Sequence, residues 1–144
     1  MAAVQSSRVF SGNHATLWVD DEEVAALKAF QLKLTYNKAD VLQCGTMFQD
    51  KKVVSVNGTG SITVEKCDSF FLEKFAGRII DGHDYRVSIT IKLHDPDARG
   101  IEQISVDNVS FDELTLADVT AGSLVEHTFP FTFASEPIFH TLIS

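Results

Sequence analysis

The sequence contains little of what marks linkers, disulfide frameworks or nucleic-acid clamps. Its 144 residues include three prolines and eight glycines, too few for a long flexible linker. Lysine and arginine number 12 against 20 acidic residues, and the net charge of -8 argues against a sequence-independent nucleic-acid clamp, which needs a basic face. The two cysteines, Cys44 and Cys67, have no metal-ligand spacing. One disulfide is compatible with them, but without a secretory signal pattern reduced thiols in a cytoplasmic protein are favoured.

Long hydrophobic runs are also missing. No stretch approaches the roughly 18 apolar residues of a membrane helix, so we expect no membrane partner. Hydrophobic residues nevertheless make up 44% of the chain, which excludes a disordered protein because enough apolar surface can be buried to offset the conformational entropy. The length favours a single domain, residues 1–144, of which we expect residues 1–10 to be flexible.

Catalytic and cofactor-binding patterns are absent from the sequence. There is no nucleophile elbow, dinucleotide fingerprint, phosphate-binding loop or HExxH zinc pattern. The dense His/carboxylate groupings, His83-Asp84 and His94-Asp95-Pro96-Asp97, lie in Gly- or Pro-marked turns, where Asp is favoured for its own backbone hydrogen bonds. We therefore predict a protein that is not an enzyme, with no catalytic residue, no metal and no cofactor.

Alternation of apolar and polar residues dominates what is present. It runs through residues 30–36, 51–66 and 85–93, and this period of two is typical of half-buried antiparallel strands. A change of phase at residues 107–108 predicts a β-bulge. Residues 69–80 instead show helical spacing of their apolar side chains. We predict a mostly β fold, an antiparallel β-barrel or sandwich of two packed sheets, with one short α-helix at about residues 69–80 and a long hairpin arm.

Two residue types refine this picture. Gly58 and Gly60 lie on the apolar face of the strand at residues 51–66, which indicates a bend or the close approach of another backbone. Pro130 interrupts the last alternating segment, and because proline lacks an amide donor it predicts a strand that lies at an edge or pairs on one side only at that point.

The segment at about residues 38–52 breaks the alternation. It carries Val41, Leu42, Met47 and Phe48 without regular spacing. In a monomer such a long apolar connection would leave Met47 and Phe48 exposed. We interpret it as an extended interaction arm, which points to self-assembly.

The opposite, polar face of the strand at residues 51–66 forms a second candidate surface. It consists of Ser55, Asn57, Thr59, Ser61 and Thr63. Such a face is smooth and weakly adhesive, although an ordinary solvent-facing sheet has the same composition.

The order of several segments resembles phage tail tube proteins of contractile-tailed phages and PBSX-like prophages. These segments are Ser11-Gly12-Asn13, Leu17-Trp18-Val19-Asp20-Asp21-Glu22-Glu23-Val24, Asn57-Gly58-Thr59-Gly60 leading into Ser61-Ile62-Thr63-Val64-Glu65-Lys66, Ser69-Phe70, Arg99-Gly100-Ile101-Glu102, Val109-Ser110-Phe111-Asp112, and Pro130-Phe131-Thr132-Phe133 with Pro137. The resemblance extends over about residues 10–138 and rests on the collinear order of the segments rather than on one motif.

The resemblance implies a structural virion protein: a tail tube subunit that forms stacked hexameric rings with a central channel for DNA, inside a contractile tail or in a tail-derived bacteriocin. The arm would reach neighbouring subunits, and the polar face would line the channel. The implied partners are further copies of the chain, the tail sheath protein, a baseplate or tube initiator and a tape-measure protein. DNA would pass without specific binding. The implied location is the virion tail, assembled in the bacterial host cytoplasm.

Two further expectations follow from the composition. A neutral-to-acidic channel wall would repel phosphate and keep DNA from sticking, whereas a wall dominated by Lys33, Arg86 and Lys92 would contradict this. The alternative function is a monomeric β-barrel that binds a small apolar ligand against the Phe129-Phe131-Phe133 row, although core packing explains that row more simply.

Overall fold

The computed structural model describes residues 5–8, 11–67, 69–82, 84–96 and 100–141, except for the side chains of Arg78 and Ile79. The strands are β1 (Ala15–Val19), β2 (Glu22–Glu23), β3 (Leu27–Val41), β4 (Asp50–Glu65), β5 (Val87–Leu93), β6 (Glu102–Phe111), β7 (Glu126–Phe133) and β8 (Ile138–Thr141). Short 3₁₀ turns occupy Ser6–Arg8 and Gly12–His14, and one helical segment consists of a π-helical turn, Leu72–Ala76, followed by α1 (Gly77–Ile80). The predicted mostly β antiparallel fold with a short helix is confirmed.

The strands form one antiparallel sheet in the order β2-β1-β5-β6-β7-β4-β3, with β8 paired to β6. The two layers predicted from the sequence are therefore joined into a single continuous sheet. Strand β6 makes the junction, because its second half pairs with β7 and its first half pairs with β8 on the same side. Residues of β1 and β5 share one hydrophobic cluster with residues of β4 and β7, so the sheet curls around a single core.

Phenylalanine side chains make up much of this core. The helical segment places the Phe71 ring 4.4 Å from the Phe129 ring and the Phe75 ring 4.8 Å from the Phe111 ring, centroid to centroid. Full burial of such a side chain contributes about 1.5–3 kcal/mol. The helical segment therefore covers one face of the core, as its apolar spacing predicted, and Gly82 with φ +86° follows its last turn.

The two glycines of β4 allow phenyl rings to cross its backbone. A Cβ at Gly58 would lie 2.3 Å from the Phe133 ring, and a Cβ at Gly60 would lie 2.4 Å from the Gln31 carbonyl oxygen and 2.5 Å from the Phe131 ring. A close approach was predicted here; it involves aromatic rings at both glycines and another backbone at Gly60 only.

The predicted bulge is confirmed in β6. Val87 faces Val109 whereas Ile89 faces Val106, so β6 carries one extra residue at 107–108. Asn108 adopts φ +58°, a left-handed conformation that asparagine tolerates better than most residues.

The one-sided pairing at Pro130 is also confirmed. Pro130 lies opposite Ser61 of β4, while the last residue of β6 that pairs with β7 is Phe111, opposite Phe131. The Pro130 carbonyl accepts a 2.9 Å hydrogen bond from the Asp112 amide. The proline thus sits where β6 has ended and no ladder donor is required.

The flexibility expected for residues 1–10 concerns mostly residues outside the described part, which includes only residues 5–8 of that stretch. Within the described residues, no helix has the length and apolar character to cross a membrane.

Candidate functional site

The β3–β4 hairpin consists of two parts with different surroundings. The strands pair with each other from Leu27 to Val41, but β4 pairs with β7 only from Gly58 to Glu65. We call residues 27–33 and 58–65 the base, and residues 34–57 the arm. At about 3.3 Å per residue, the arm strands continue for about 23 Å beyond the base before the tip loop at residues 42–49.

The apolar face of the base continues along the arm, where it is exposed to solvent. In the base this face includes Ile62 and Val64, both buried. In the arm it continues through Leu34, Tyr36 and Val56, and Tyr36 and Val56 are 57% and 48% exposed. Within the described residues no other strand covers this apolar face, so a single copy leaves it in water.

The tip is the most exposed apolar part of the arm. Met47 is 98% exposed and Phe48 is 90% exposed, Leu42 is also exposed, and Val41 is half-buried where β3 ends. Their placement agrees with the predicted exposure of an arm; its role in assembly is taken up below.

The limits of the irregular segment differ from the prediction. Residues 38–41 and 50–52 belong to strands, and only residues 42–49 lie between them. The pairing shifts between Asn37, opposite Ser55, and Lys38, opposite Val53. This extra residue changes which side chains share a face, so the strands continue although the sequence alternation stops.

The five polar residues predicted as a surface do share one face of β4. Ser55 and Asn57 lie on the arm and are exposed, and Thr59, Ser61 and Thr63 lie on the base and are half-buried. Their cross-strand neighbours are also polar: the Asn37 side-chain amide donates to the Ser55 hydroxyl at 2.9 Å, and the Thr63 and Thr128 hydroxyls lie 3.2 Å apart. We call this surface the polar face.

The polar face is close to neutral. The charged side chains on or beside it are Lys28, Lys33, Glu65 and Glu126, two of each sign. Lys28 donates to the Glu126 carboxylate, and this hydrogen bond together with Coulomb attraction raises the pKa of Lys28 above its ordinary value. The acidic excess of the chain therefore lies elsewhere.

The His/carboxylate turns do not converge into a reactive site. The buried Asp95 carboxylate accepts the Ser11 amide at 3.0 Å, which ties down the segment before β1, and Asp84 pairs with Arg86 at 2.9 Å. His83 and Asp97 lie outside the described residues. In the part that is described, no three His, Cys, Asp or Glu side chains are grouped to hold a metal. Both cysteines are free and exposed.

The chain matches the model of the phage tail tube protein family over residues 2–136. It is 30% identical over 133 residues to the phage-like element PBSX protein XkdM of Bacillus subtilis (strain 168), with 91% of this chain and 90% of that protein covered. The protein YqbM of the same strain, which carries no functional description, is equally similar over the same shares of both chains.

Solved structures share the fold at low sequence identity. In the sheath-tube complex of the PVC extracellular contractile injection system, a chain aligns with a TM-score of 0.68 at 12% identity, covering 97% of this chain and 100% of its own. A chain of the anti-feeding prophage cap aligns with a TM-score of 0.70 at 14% identity, covering 99% of this chain and 96% of its own. A chain of the C6-symmetric tail of a gene transfer agent particle aligns with a TM-score of 0.64 at 15% identity, covering 92% of this chain and 100% of its own. Because the family model matches nearly its whole length, the chain belongs to the phage tail tube protein family and is a structural tail tube subunit.

Proposed function

We propose that the protein is the repeating subunit of the tube inside a contractile tail, assembled as stacked hexameric rings around a channel for DNA. The same subunit serves equally as the inner tube of a tail-derived bacteriocin. The observation that carries this proposal is the uncovered apolar face of the arm, with Tyr36 57% exposed in a single copy. Burying that face against a second copy removes apolar surface from water.

The dimensions of the arm suit contact between copies. A compact domain of about 120 residues, the length of the chain outside the arm, has a radius of gyration of about 14 Å. An arm of about 23 Å therefore extends past the molecule that carries it. Strand β3 is the last strand in the sheet order, so its outer edge has no partner strand in the described part of the chain. Pairing of this edge with another copy would satisfy its backbone groups.

The symmetry of the ring follows from the type of contact. An arm that binds a different surface on its neighbour makes a heterologous contact, which closes into a ring when the rotation allows it. The C6 symmetry described for the gene transfer agent tail supports six copies per ring.

The polar face is the surface we assign to the channel, through Ser55, Asn57, Thr59, Ser61 and Thr63. Its serine and threonine hydroxyls offer DNA no clustered positive charge. Of Lys33, Arg86 and Lys92, the three side chains whose dominance of the wall would contradict this assignment, only Lys33 lies on the polar face. The wall we propose is near-neutral rather than acidic. DNA would pass it because nothing holds the phosphates.

The further partners we propose are those of a tail in assembly in the host cytoplasm. The sheath-tube complex among the structural relatives supports a sheath on the outer surface, and the prophage cap supports a partner at the tube end. A baseplate or tube initiator and a tape-measure protein complete the set, which the family resemblance supports.

Core packing explains the phenylalanine row better than the alternative ligand-binding barrel does. Phe129, Phe131 and Phe133 are all buried in the core cluster. The cavity that Phe129 lines holds about 20 Å³, far less than the roughly 300–1,000 Å³ of pockets that bind small ligands. We therefore assign the row to core packing.

Negative-stain microscopy of the concentrated protein tests the proposal. We expect rings or tubes from the natural sequence and folded monomers from Tyr36→Ser/Val56→Ser, which makes the apolar face of the arm polar. Thr35→Ser/Asn57→Ser is the matched control, since it alters the neighbouring cross-strand pair on the opposite face. The control should still assemble. A natural protein that stays monomeric at every concentration would contradict the proposal, as would assembly of the Tyr36/Val56 variant.

A further inference from the structure

A cleft of about 570 Å³ lies at the end of β3 that is farthest from the tip. Its lining includes Leu27 and Phe30 of β3, Ile91 of β5 and Ile104 of β6. These strands belong to distant positions in the sheet order, so the cleft marks the place where the curled sheet approaches itself without pairing. Leu27, Phe30 and Ile91 also pack against the core, which gives the cleft an apolar floor.

The arm tip of the same copy lies too far away to fill this cleft. Both belong to one continuous strand: Phe30 lines the cleft and Val41 is the last residue before the tip. Eleven residues of extended chain separate them by about 36 Å. A tip that binds in this cleft must therefore come from another copy.

We propose that the cleft receives the arm tip of a second copy, with Met47 and Phe48 inserted between the start of β3 and strands β5 and β6. This inference rests on the proposed tube function, because it requires neighbouring copies. Each copy carries one tip and one cleft, and the two surfaces differ, so the contact is heterologous and continues from copy to copy.

The dimensions and chemistry of the two surfaces match. The cleft volume falls within the roughly 300–1,000 Å³ of pockets that enclose drug-sized ligands, which leaves room for two large apolar side chains. Met47 and Phe48 have almost no contact with their own chain, being 98% and 90% exposed. Their burial would therefore remove nearly the whole of both side chains from water.

The arm and the rest of the chain have net charges of opposite sign. The arm holds three lysines and two aspartates, a net charge of +1, so the other 120 residues carry -9 of the total of -8. Lys51 and Lys52 follow the tip loop after Asp50, and the cleft lining carries one charge of each sign, Glu102 and Lys28. The attraction therefore comes from the opposite net charges of the arm and of the rest of a second copy, which favours their encounter.

Disulfide trapping tests this contact, with the native Cys44 of the tip as the reporter. In a Cys67→Ser background, Ala15→Cys places a thiol in the cleft lining, while Ala134→Cys places one in a different groove at the root of the arm, beside Leu34 and Tyr36. A disulfide requires Cα atoms within about 7 Å, so it reports direct contact. The concentrated full chain is treated with a mild oxidant and resolved on a non-reducing gel.

We expect covalent dimers and higher multimers from the Ala15→Cys protein, at least tenfold more than from the Ala134→Cys protein, and their loss when Phe48→Ser is added. Tubes in the microscope without cross-linking at Ala15 would contradict this inference and leave the tube proposal intact. Preferential cross-linking at Ala134 would move the contact to the arm root and likewise overturn it. Absence of any assembly would contradict the tube proposal itself.

Discussion

The base and the arm are two lengths of the same hairpin with opposite surroundings. Both alternate apolar and polar residues, and both are antiparallel pairs of β3 with β4. In the base, the apolar side chains lie under the helical segment and against β7; in the arm, side chains of the same kind face water. The difference shows that alternation defines an apolar face without stating which molecule covers it.

The largest expected effect compares one valine from each part. Val64→Ala in the base removes a buried side chain and should lower the free energy of unfolding by about 2 kcal/mol or more, since two methylene equivalents and a cavity are lost. Val56→Ala, on the same face of the same strand, should change it by less than about 0.5 kcal/mol. Urea unfolding at a dilution at which each protein is monomeric measures both values. Equal losses would mean that the arm is folded against its own domain.

A smaller effect is expected at the glycines that accommodate the phenyl rings. Gly60→Ala places a Cβ 2.4 Å from the Gln31 carbonyl oxygen, a backbone atom that cannot rotate away, and should destabilise the protein by about 1–3 kcal/mol. Gly77→Ala is the matched control, because nothing lies within 4 Å of its Cβ position and its backbone is already helical. The control should be neutral or slightly stabilising. If thermal unfolding gave Gly77→Ala a lower melting temperature than Gly60→Ala, the close contacts of β4 at Gly60 would be contradicted.

How far the sequence predicts the structure differs between these two parts. In the base and in the neighbouring strand β7, alternation, the two glycines and Pro130 each predict a local feature that the structure contains, because every one of them acts through its immediate neighbours. The bulge at residues 107–108 was visible for the same reason: the change of phase is local.

The arm was predicted less completely. The sequence identifies its apolar tip residues, but it places Leu34, Tyr36 and Val56 in segments predicted as half-buried strands, with no sign that their apolar side chains face water. A signal was present in the length: strands of 15 and 16 residues are about 50 Å long, more than a domain of this size can cover. The register shift after Asn37 concealed that length, because it ends the alternation in the sequence while the pairing continues.

A still smaller effect is expected from the ion pairs of the two parts. The raised pKa of Lys28 means that its pairing with Glu126 stabilises the fold fully below the ordinary lysine pKa of about 10.4, and that this stabilisation is lost as the pH rises through the raised value. The difference in unfolding free energy between the natural protein and Lys28→Gln should therefore shrink from about pH 9 to about pH 12. Lys51→Gln in the arm, whose ammonium lies 4.0 Å from the Asp40 carboxylate, is the control. If the difference in unfolding free energy stayed constant with pH, the ion pair between Lys28 and Glu126 in the base would be contradicted.

Excision of the tip is expected to have the smallest effect on stability and the clearest effect on assembly. Replacing residues 40–51 by Asn-Gly joins Ala39 to its cross-strand partner Lys52 through a two-residue turn. Since the removed side chains are almost all exposed, the unfolding free energy should change by less than about 1 kcal/mol, while rings and tubes disappear in negative stain. Met47→Ser/Phe48→Ser, which keeps the full hairpin, should also remain monomeric, because assembly requires the apolar tip in addition to the apolar face of the arm. If the excised protein failed to fold, the tip would belong to the core of its own chain, and the distinction between base and arm would fall with it.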